Sequence, residues 1–102
     1  MKKVKITVLK CTLMADIVAE YGNPGMGPCT KQQEGQIFYC DWNKPPEICD
    51  EAWKAIHHYV MALCFGGSDF FHGRWVNDPN IAIVSCNDGL RPVIYKLEAV
   101  DA

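Results

Sequence analysis

Six cysteines are the residues of this chain with the clearest chemical potential: Cys11, Cys29, Cys40, Cys49, Cys64 and Cys86. In a reducing compartment, six cysteines among 102 residues indicate metal or thiol chemistry more than a disulfide scaffold. The sequence contains no C-x-x-C, C-x-x-H or H-E-x-x-H motif, so it lacks the strong local signatures of a metal site. Any site must therefore be assembled from cysteines on separate elements.

Three of the cysteines stand at the ends of predicted elements, where ligands are often presented. Cys49 begins a predicted helix, and Cys29 lies in a loop after Gly27 and Pro28. Cys86 ends a predicted strand just before the turn signal Asn-Asp-Gly. Three thiolates suit an iron–sulfur cluster with one labile iron, or a soft ion such as zinc or copper(I). We therefore predict that Cys29, Cys49 and Cys86 bind a metal or a cluster.

The fourth coordination position is open to a water molecule, a substrate or one more side chain. Cys40 and His72 are the two candidates among the side chains. Cys40 shares strand parity with Phe38 and Trp42, so a place in the core is at least as well supported as a ligand role. His72 stands in a predicted loop, where an ordinary loop residue is the simpler interpretation.

Two further cysteines are predicted to lie away from this site. Cys64 is about 22 Å along the same helix from Cys49, so the two cannot bind one ion, and its apolar neighbours predict a small buried residue. Cys11 follows the first strand on the face of Lys5 and Thr7. That parity predicts an exposed thiol, unless the strand bulges.

A metal-free function is the alternative. Because the free N–H groups and the dipole of a helix start favour a thiolate, Cys49 is a candidate reactive thiol in a redox protein. No evident general base accompanies it in the sequence. A non-catalytic interaction module, whose cysteines only fill the core, is the third hypothesis, and whether the protein is an enzyme stays open.

Hydrophobic periodicity predicts the elements that must position these residues. Val4, Ile6 and Val8 alternate with polar residues, as in a strand with one wet face. The predicted elements are strands at 3–9, 36–42, 81–86 and 93–100, a short helix at 15–20 and a long helix at about 49–65. The predicted fold class is α+β, with one long helix packed on a small, mainly antiparallel sheet. A sheet curled into a partial barrel is an alternative that the pattern leaves open. The expected core aromatics are Phe38, Trp42, Trp53, Phe65, Phe70, Phe71 and Trp75.

Length and composition exclude several classes of protein. A chain of 102 residues fits a single domain, 1–102. The net charge of −2 argues against a nucleic-acid partner, and no apolar run approaches the ~20 residues of a membrane span. The start of the chain lacks the apolar region of a signal peptide, which predicts a cytoplasmic protein. A redox partner protein and a homo-oligomer formed through an exposed end strand are the partners considered.

Over nearly its whole length the sequence resembles a family of small uncharacterised cysteine-containing proteins of anaerobic bacteria and archaea. The resemblance is carried by Gly27-Pro28-Cys29, Gly35-Gln36-Ile37-Phe38, Ile48-Cys49-Asp50-Glu51-Ala52, Ala62-Leu63-Cys64-Phe65-Gly66-Gly67, Trp75 with Asp78-Pro79, and Ser85-Cys86-Asn87-Asp88 leading into Pro92-Val93-Ile94-Tyr95. It implies that Cys29, Cys49 and Cys86 are shared by the family. The remaining cysteines are departures from its pattern: Cys11, Cys40 and Cys64. An anaerobic setting, also implied by the resemblance, suits oxygen-sensitive thiolates or clusters; no particular reaction is implied.

Overall fold

The helices and strands form within two residues of the boundaries predicted from the sequence. The computed structural model describes residues 1–101. Its elements are β1 (Lys3–Cys11), α1 (Ala15–Tyr21), β2 (Ile37–Cys40), α2 (Asp50–Cys64), a 3-10 turn (Phe70–Gly73), β3 (Ile81–Ser85) and β4 (Val93–Val100). The α+β class is confirmed.

The four strands form one antiparallel sheet in the order β2-β1-β4-β3. β1 and β4 are central, and β3 pairs with β4 as a hairpin. The edge strands β2 and β3, of four and five residues, do not pair with each other in residues 1–101. The sheet is therefore open, not closed into a barrel, since closure needs enough tilted strands to bring the two edges together.

α2 covers one face of the sheet and builds the core with it. Its buried residues recur at three- and four-residue steps: Ala52, Ile56, Val60, Leu63 and Cys64. They pack against the inward-facing residues of the strands: Val4, Ile6, Val8, Phe38, Cys40, Ala82, Val84, Val93, Tyr95 and Leu97. α1 has no buried residue, so α2 alone supplies the helical layer of the core. Neither helix within residues 1–101 has the length and apolar character needed to cross a membrane.

Two glycines end α2. The Gly67 N–H donates to the carbonyl of Ala62 at 2.7 Å, and the Gly66 N–H donates to the carbonyl of Leu63 at 3.2 Å. Gly66 has a φ of 90°, the left-handed conformation that favours glycine at this position. These are the bonds of a Schellman motif, so the helix stops where the Gly-Gly pair predicts.

A β-bulge in β1 decides the orientation of Cys11. Val8 pairs with Tyr95, whereas Lys10 pairs with Ile94, so Leu9 is an extra residue on β1. The insertion changes the side-chain parity beyond it. Cys11 is consequently paired with buried Val93 and packs against the core, which corrects the prediction of an exposed thiol on the face of Lys5 and Thr7.

Several aromatic residues expected in the core lie at the surface. Trp75, Phe65 and Trp42 are 75%, 62% and 47% exposed. The ring of Trp75 stacks on Phe71 with centroids 4.1 Å apart. The largest fully buried side chain is instead Tyr95, because the sheet interior next to α2 is filled mostly by aliphatic residues.

Candidate functional site

One open cavity of about 650 Å³ is lined by Cys29, Cys49 and Cys86 together. Cys29 comes from the loop between α1 and β2, Cys49 directly precedes α2, and Cys86 directly follows β3. All three side chains are half-buried. Three residues that are far apart in the sequence therefore border the same space.

Cys49 is the N-cap residue of α2, and its thiol is not used for capping. Its backbone is extended, with φ −59° and ψ 137°, and its side chain makes no cap hydrogen bond. The Cys49 carbonyl accepts the first helical hydrogen bond, from the Trp53 N–H at 2.9 Å. The main chain is thus fixed by the helix, while the sulfur stays available to the cavity.

Cys86 is held by the backbone of β4. Its N–H donates to the Val93 carbonyl at 3.1 Å, and the Val93 N–H donates to the Cys86 sulfur at 3.3 Å. The connection between them is tightened by Asp88, whose Oδ1 accepts from the Leu90 N–H at 2.9 Å. The position of this sulfur is therefore set by the end of the β3–β4 hairpin.

Cys29 is held less firmly. Its sulfur accepts one local hydrogen bond, from the Lys31 N–H at 3.4 Å, and the surrounding loop contains several glycines. Two of them, Gly25 and Gly35, have positive φ values of 81° and 86°. Of the three cysteines lining the cavity, Cys29 is thus the one placed by a loop and not by the end of a helix or strand.

Gln32 joins the three elements of the site. It is the only buried polar or charged residue within residues 1–101, with 3% of its surface exposed. Its Oε1 accepts from the Cys49 N–H at 3.2 Å and from the Tyr95 hydroxyl at 3.3 Å. Its Nε2 donates to Gln36 Oε1 at 3.0 Å and to the Glu47 carbonyl at 3.4 Å. One amide therefore ties the loop of Cys29 to the start of α2 and to β4.

Tyr95 lines the cavity, and the thiolate forms of several cysteines act on the pKa of its phenol. Burial is the largest cause that raises the pKa of its phenol, and the charges of four cysteines raise it further: Cys86, Cys49, Cys29 and Cys11. Cys11 does not line the cavity, but its thiol donates to the Gln32 carbonyl at 3.5 Å. The cysteine cluster around this phenol thus includes one more member than the sequence predicted.

The polar rim of the cavity carries charges of both signs. Arg91 Nε donates to Asp88 Oδ2 at 2.9 Å. Burial acts to raise the pKa of Asp88, yet hydrogen bonds from Arg91 and from the backbone hold it below its usual value. The other charged side chains around the opening are Lys31, Asp50 and Glu51. This mixture does not select strongly for an anion or a cation.

The two side chains considered for a fourth position lie elsewhere. Cys40 pairs with Val4, whereas Cys11 lies seven residues further along β1, a distance of roughly 20 Å. Cys40 faces the core, and burial, with the charges of Cys64 and Asp41, raises its pKa to about 12. His72 lies in the 3-10 turn with a φ of 60° and does not line the cavity.

The arrangement is wider than a site for a single ion. Within residues 1–101, no three His, Cys, Asp or Glu side chains are grouped so that they could hold one metal ion. A zinc ion with Zn–S bonds of about 2.3 Å draws its sulfurs to about 3.8 Å from one another. Cys29, Cys49 and Cys86 therefore surround a space instead of converging on one point.

Sequence reasoning missed Gln32, Tyr95 and Cys11 as members of the site. Only Cys11 had a usable signal, since a bulge was the condition that would turn it inward. The chain was compared with protein-family models, with curated proteins and with solved structures, and nothing matched.

Proposed function

We propose that this protein binds an iron–sulfur cluster, or a soft metal ion, through the thiolates of Cys29, Cys49 and Cys86. The observation that supports the proposal is that these cysteines, from three separate elements, line one cavity. Thiolates are the protein ligands that iron–sulfur clusters and soft metals prefer. With three protein ligands, one coordination position is left for a water molecule, a substrate or a further side chain.

The dimensions of the cavity favour a cluster over a single ion. A cluster places its irons at separate corners, so its cysteine ligands stand further apart than the sulfurs around one ion. Cys29, Cys49 and Cys86 border one cavity without being grouped for a single ion, which suits that wider arrangement.

The function of such a centre would be redox chemistry or ligand binding at the open position. The protein supplies thiolates, a half-buried environment and hydrogen bonds at the sulfurs, which are the factors that set the reduction potential of a cluster. The Val93 N–H at Cys86 and the Lys31 N–H at Cys29 are two such bonds. An anaerobic host, implied by the sequence resemblance, would protect a centre of this kind.

The test is cluster loading under anaerobic conditions. The purified protein is reconstituted with ferrous iron and sulfide, and bound iron, acid-labile sulfide and the visible absorption spectrum are measured. We expect charge-transfer absorption in the natural protein and its loss in the triple variant Cys29→Ser, Cys49→Ser, Cys86→Ser. Cys64→Ala, a buried cysteine outside the cavity, is the matched control and should load normally. A protein that takes up no iron, zinc or copper(I) would refute the proposal.

A metal-free thiol function is the second candidate, and the free thiol of Cys49 at the start of α2 favours it. This sulfur makes no cap hydrogen bond and borders the open cavity, so an electrophile can reach it. We expect Cys49 to be alkylated faster than Cys11 at neutral pH in metal-free protein. Equal rates, measured by mass spectrometry of iodoacetamide-treated protein, would remove the basis for this function.

A further inference from the structure

A fourth cysteine lies directly behind the wall of the cavity. Cys11 is paired with Val93 across β1 and β4, a relationship that places their Cα atoms about 4.5–5.5 Å apart. Val93 lines the cavity, and its N–H is bonded to the Cys86 sulfur. On its other side, Cys11 donates its thiol hydrogen to Gln32, which also lines the cavity. Cys11 thus sits between two residues of the cavity wall.

The bulge at Leu9 is what brings Cys11 to this place. Without the extra residue, the parity of β1 would direct the side chain to the face of Lys5 and Thr7. With it, the side chain turns to the core face and packs against the buried cluster. A bulge at the end of a strand that re-aims a side chain towards a site is a recurring functional device.

The hydrogen bonding of Cys11 allows its sulfur to leave its present acceptor, the Gln32 carbonyl. Its hydrogen bond to the Gln32 carbonyl is 3.5 Å long, and a thiol is a weak donor. Its backbone is anchored independently, because its N–H donates to Glu34 Oε2 at 3.0 Å in addition to the strand pairing. Rotation of the side chain would therefore release one weak bond without disturbing the strand.

The six cysteines divide into a group of four and a group of two. Four lie close enough to the phenol of Tyr95 for their charges to act on it: Cys11, Cys29, Cys49 and Cys86. Cys40 and Cys64 are buried near each other, towards the other end of the sheet. Three of these four cysteines line the cavity, and Cys11 lies behind its wall, next to Val93 and Gln32. Four thiolates are the number that completes an iron–sulfur cluster.

We infer that Cys11 is the fourth thiolate ligand of the centre, completing a four-cysteine iron–sulfur cluster with Cys29, Cys49 and Cys86. The inference rests on the proposed function and makes it more specific. A cluster with four cysteine ligands has no open iron, so the centre transfers electrons and does not bind substrate. Cys11 reaches the cluster by rotating from the Gln32 carbonyl towards the side of the cavity occupied by Val93.

The decisive experiment compares thiol protection in cluster-loaded and metal-free protein. Both forms of the natural chain are treated anaerobically with iodoacetamide, and each cysteine is quantified by mass spectrometry. We expect loading to protect Cys11 as strongly as Cys29, Cys49 and Cys86. If the other three are protected while Cys11 is alkylated equally in both forms, the inference is overturned and the proposed function stands. If the natural chain takes up no iron, zinc or copper(I), the proposed function itself fails.

A variant gives an independent readout. Cys11→Ala, which has no donor atom, should still hold a cluster through three cysteines, with one iron accessible to an added ligand. Cyanide should therefore alter the electron paramagnetic resonance spectrum of the reduced Cys11→Ala cluster and leave those of the natural protein and Cys64→Ala unchanged. An identical cyanide response in all three would overturn the inference. Should Cys11→Ala fail to fold, the protection experiment on the natural chain still decides.

Discussion

The hydroxyl of Tyr95 donates to the amide oxygen of Gln32 at 3.3 Å, and both side chains are buried. The same oxygen accepts the N–H of Cys49, so the start of α2 and the middle of β4 share one acceptor. Because Gln32 lies three residues after Cys29, this contact also fixes the loop that carries Cys29. The geometry of the cavity therefore depends on a polar residue that has no chemistry of its own.

Removal of the Gln32 amide should destabilise the protein. In Gln32→Ala the Cys49 N–H and the Tyr95 hydroxyl lose their acceptor, and each unsatisfied buried group costs about 1–3 kcal/mol. The exposed neighbour provides the control, since Gln33→Ala should change stability by less than about 0.5 kcal/mol. Urea denaturation measures both. Equal stability of the two variants would contradict a structural role for Gln32.

The regular elements could be predicted because each buries one face. The alternation of Val4, Ile6 and Val8 and the apolar stripe of α2 are direct consequences of strand and helix periodicity. The Gly66-Gly67 pair likewise identified the end of α2, since a left-handed residue is needed there. Local sequence therefore carried the information for these elements.

Other features depend on tertiary context and carry little sequence signal. The inward turn of Cys11 results from one extra residue, Leu9, which simple alternation does not reveal. Gln32 is buried only because its loop folds over the end of the sheet, whereas its sequence is that of an ordinary polar loop. Trp75 is a large apolar residue of the kind that usually lies in a core. It follows the 3-10 turn and stacks on Phe71, and its ring stays exposed.

The structure predicts two classes of thiol reactivity in the metal-free protein. Cys40 and Cys64 are 6% and 1% exposed, whereas the other four cysteines are half-buried. Rapid alkylation by iodoacetamide should therefore modify four cysteines in the native state and all six in denaturant. Intact-mass spectrometry counts the modifications. Modification of Cys64 at the rate of Cys86 would show that α2 does not pack on the sheet as described.

Alkaline pH should destabilise the fold through Cys40. Burial raises the pKa of this thiol from 9.0 to about 12, so the folded protein keeps it neutral where the unfolded chain ionises. Its contribution is fully present below about pH 9 and is lost as the pH rises towards about 12. Between these two pH values, the free energy of unfolding falls by up to about 1.4 kcal/mol per pH unit. Urea denaturation on either side of pH 9 should show a shallower slope for Cys40→Ala, with Cys29→Ala as the control. Identical slopes for the natural protein and Cys40→Ala would contradict the assignment of this pH dependence to Cys40.

The Asp88 turn should control both stability at acid pH and the position of Cys86. Its carboxylate accepts from the Leu90 N–H and from Arg91, and these bonds hold the pKa of Asp88 below its usual 3.8 despite burial. Because the folded pKa is depressed, the contribution to stability is present above pH 3.8 and is lost as the pH falls through the lower folded value. Asp88→Ala removes every one of these bonds, whereas Asp88→Asn keeps an acceptor for the backbone.

We expect Asp88→Ala to lose about 1 kcal/mol of stability at neutral pH, by comparison with the cost of losing similar capping bonds. Asp88→Asn should lose less. Since the turn begins directly after Cys86, the alanine variant should also load less iron than the asparagine variant under identical reconstitution. Urea denaturation and iron analysis measure the two effects separately. If Asp88→Ala loads iron as well as the natural protein despite reduced stability, the turn supports the fold but does not position the sulfur.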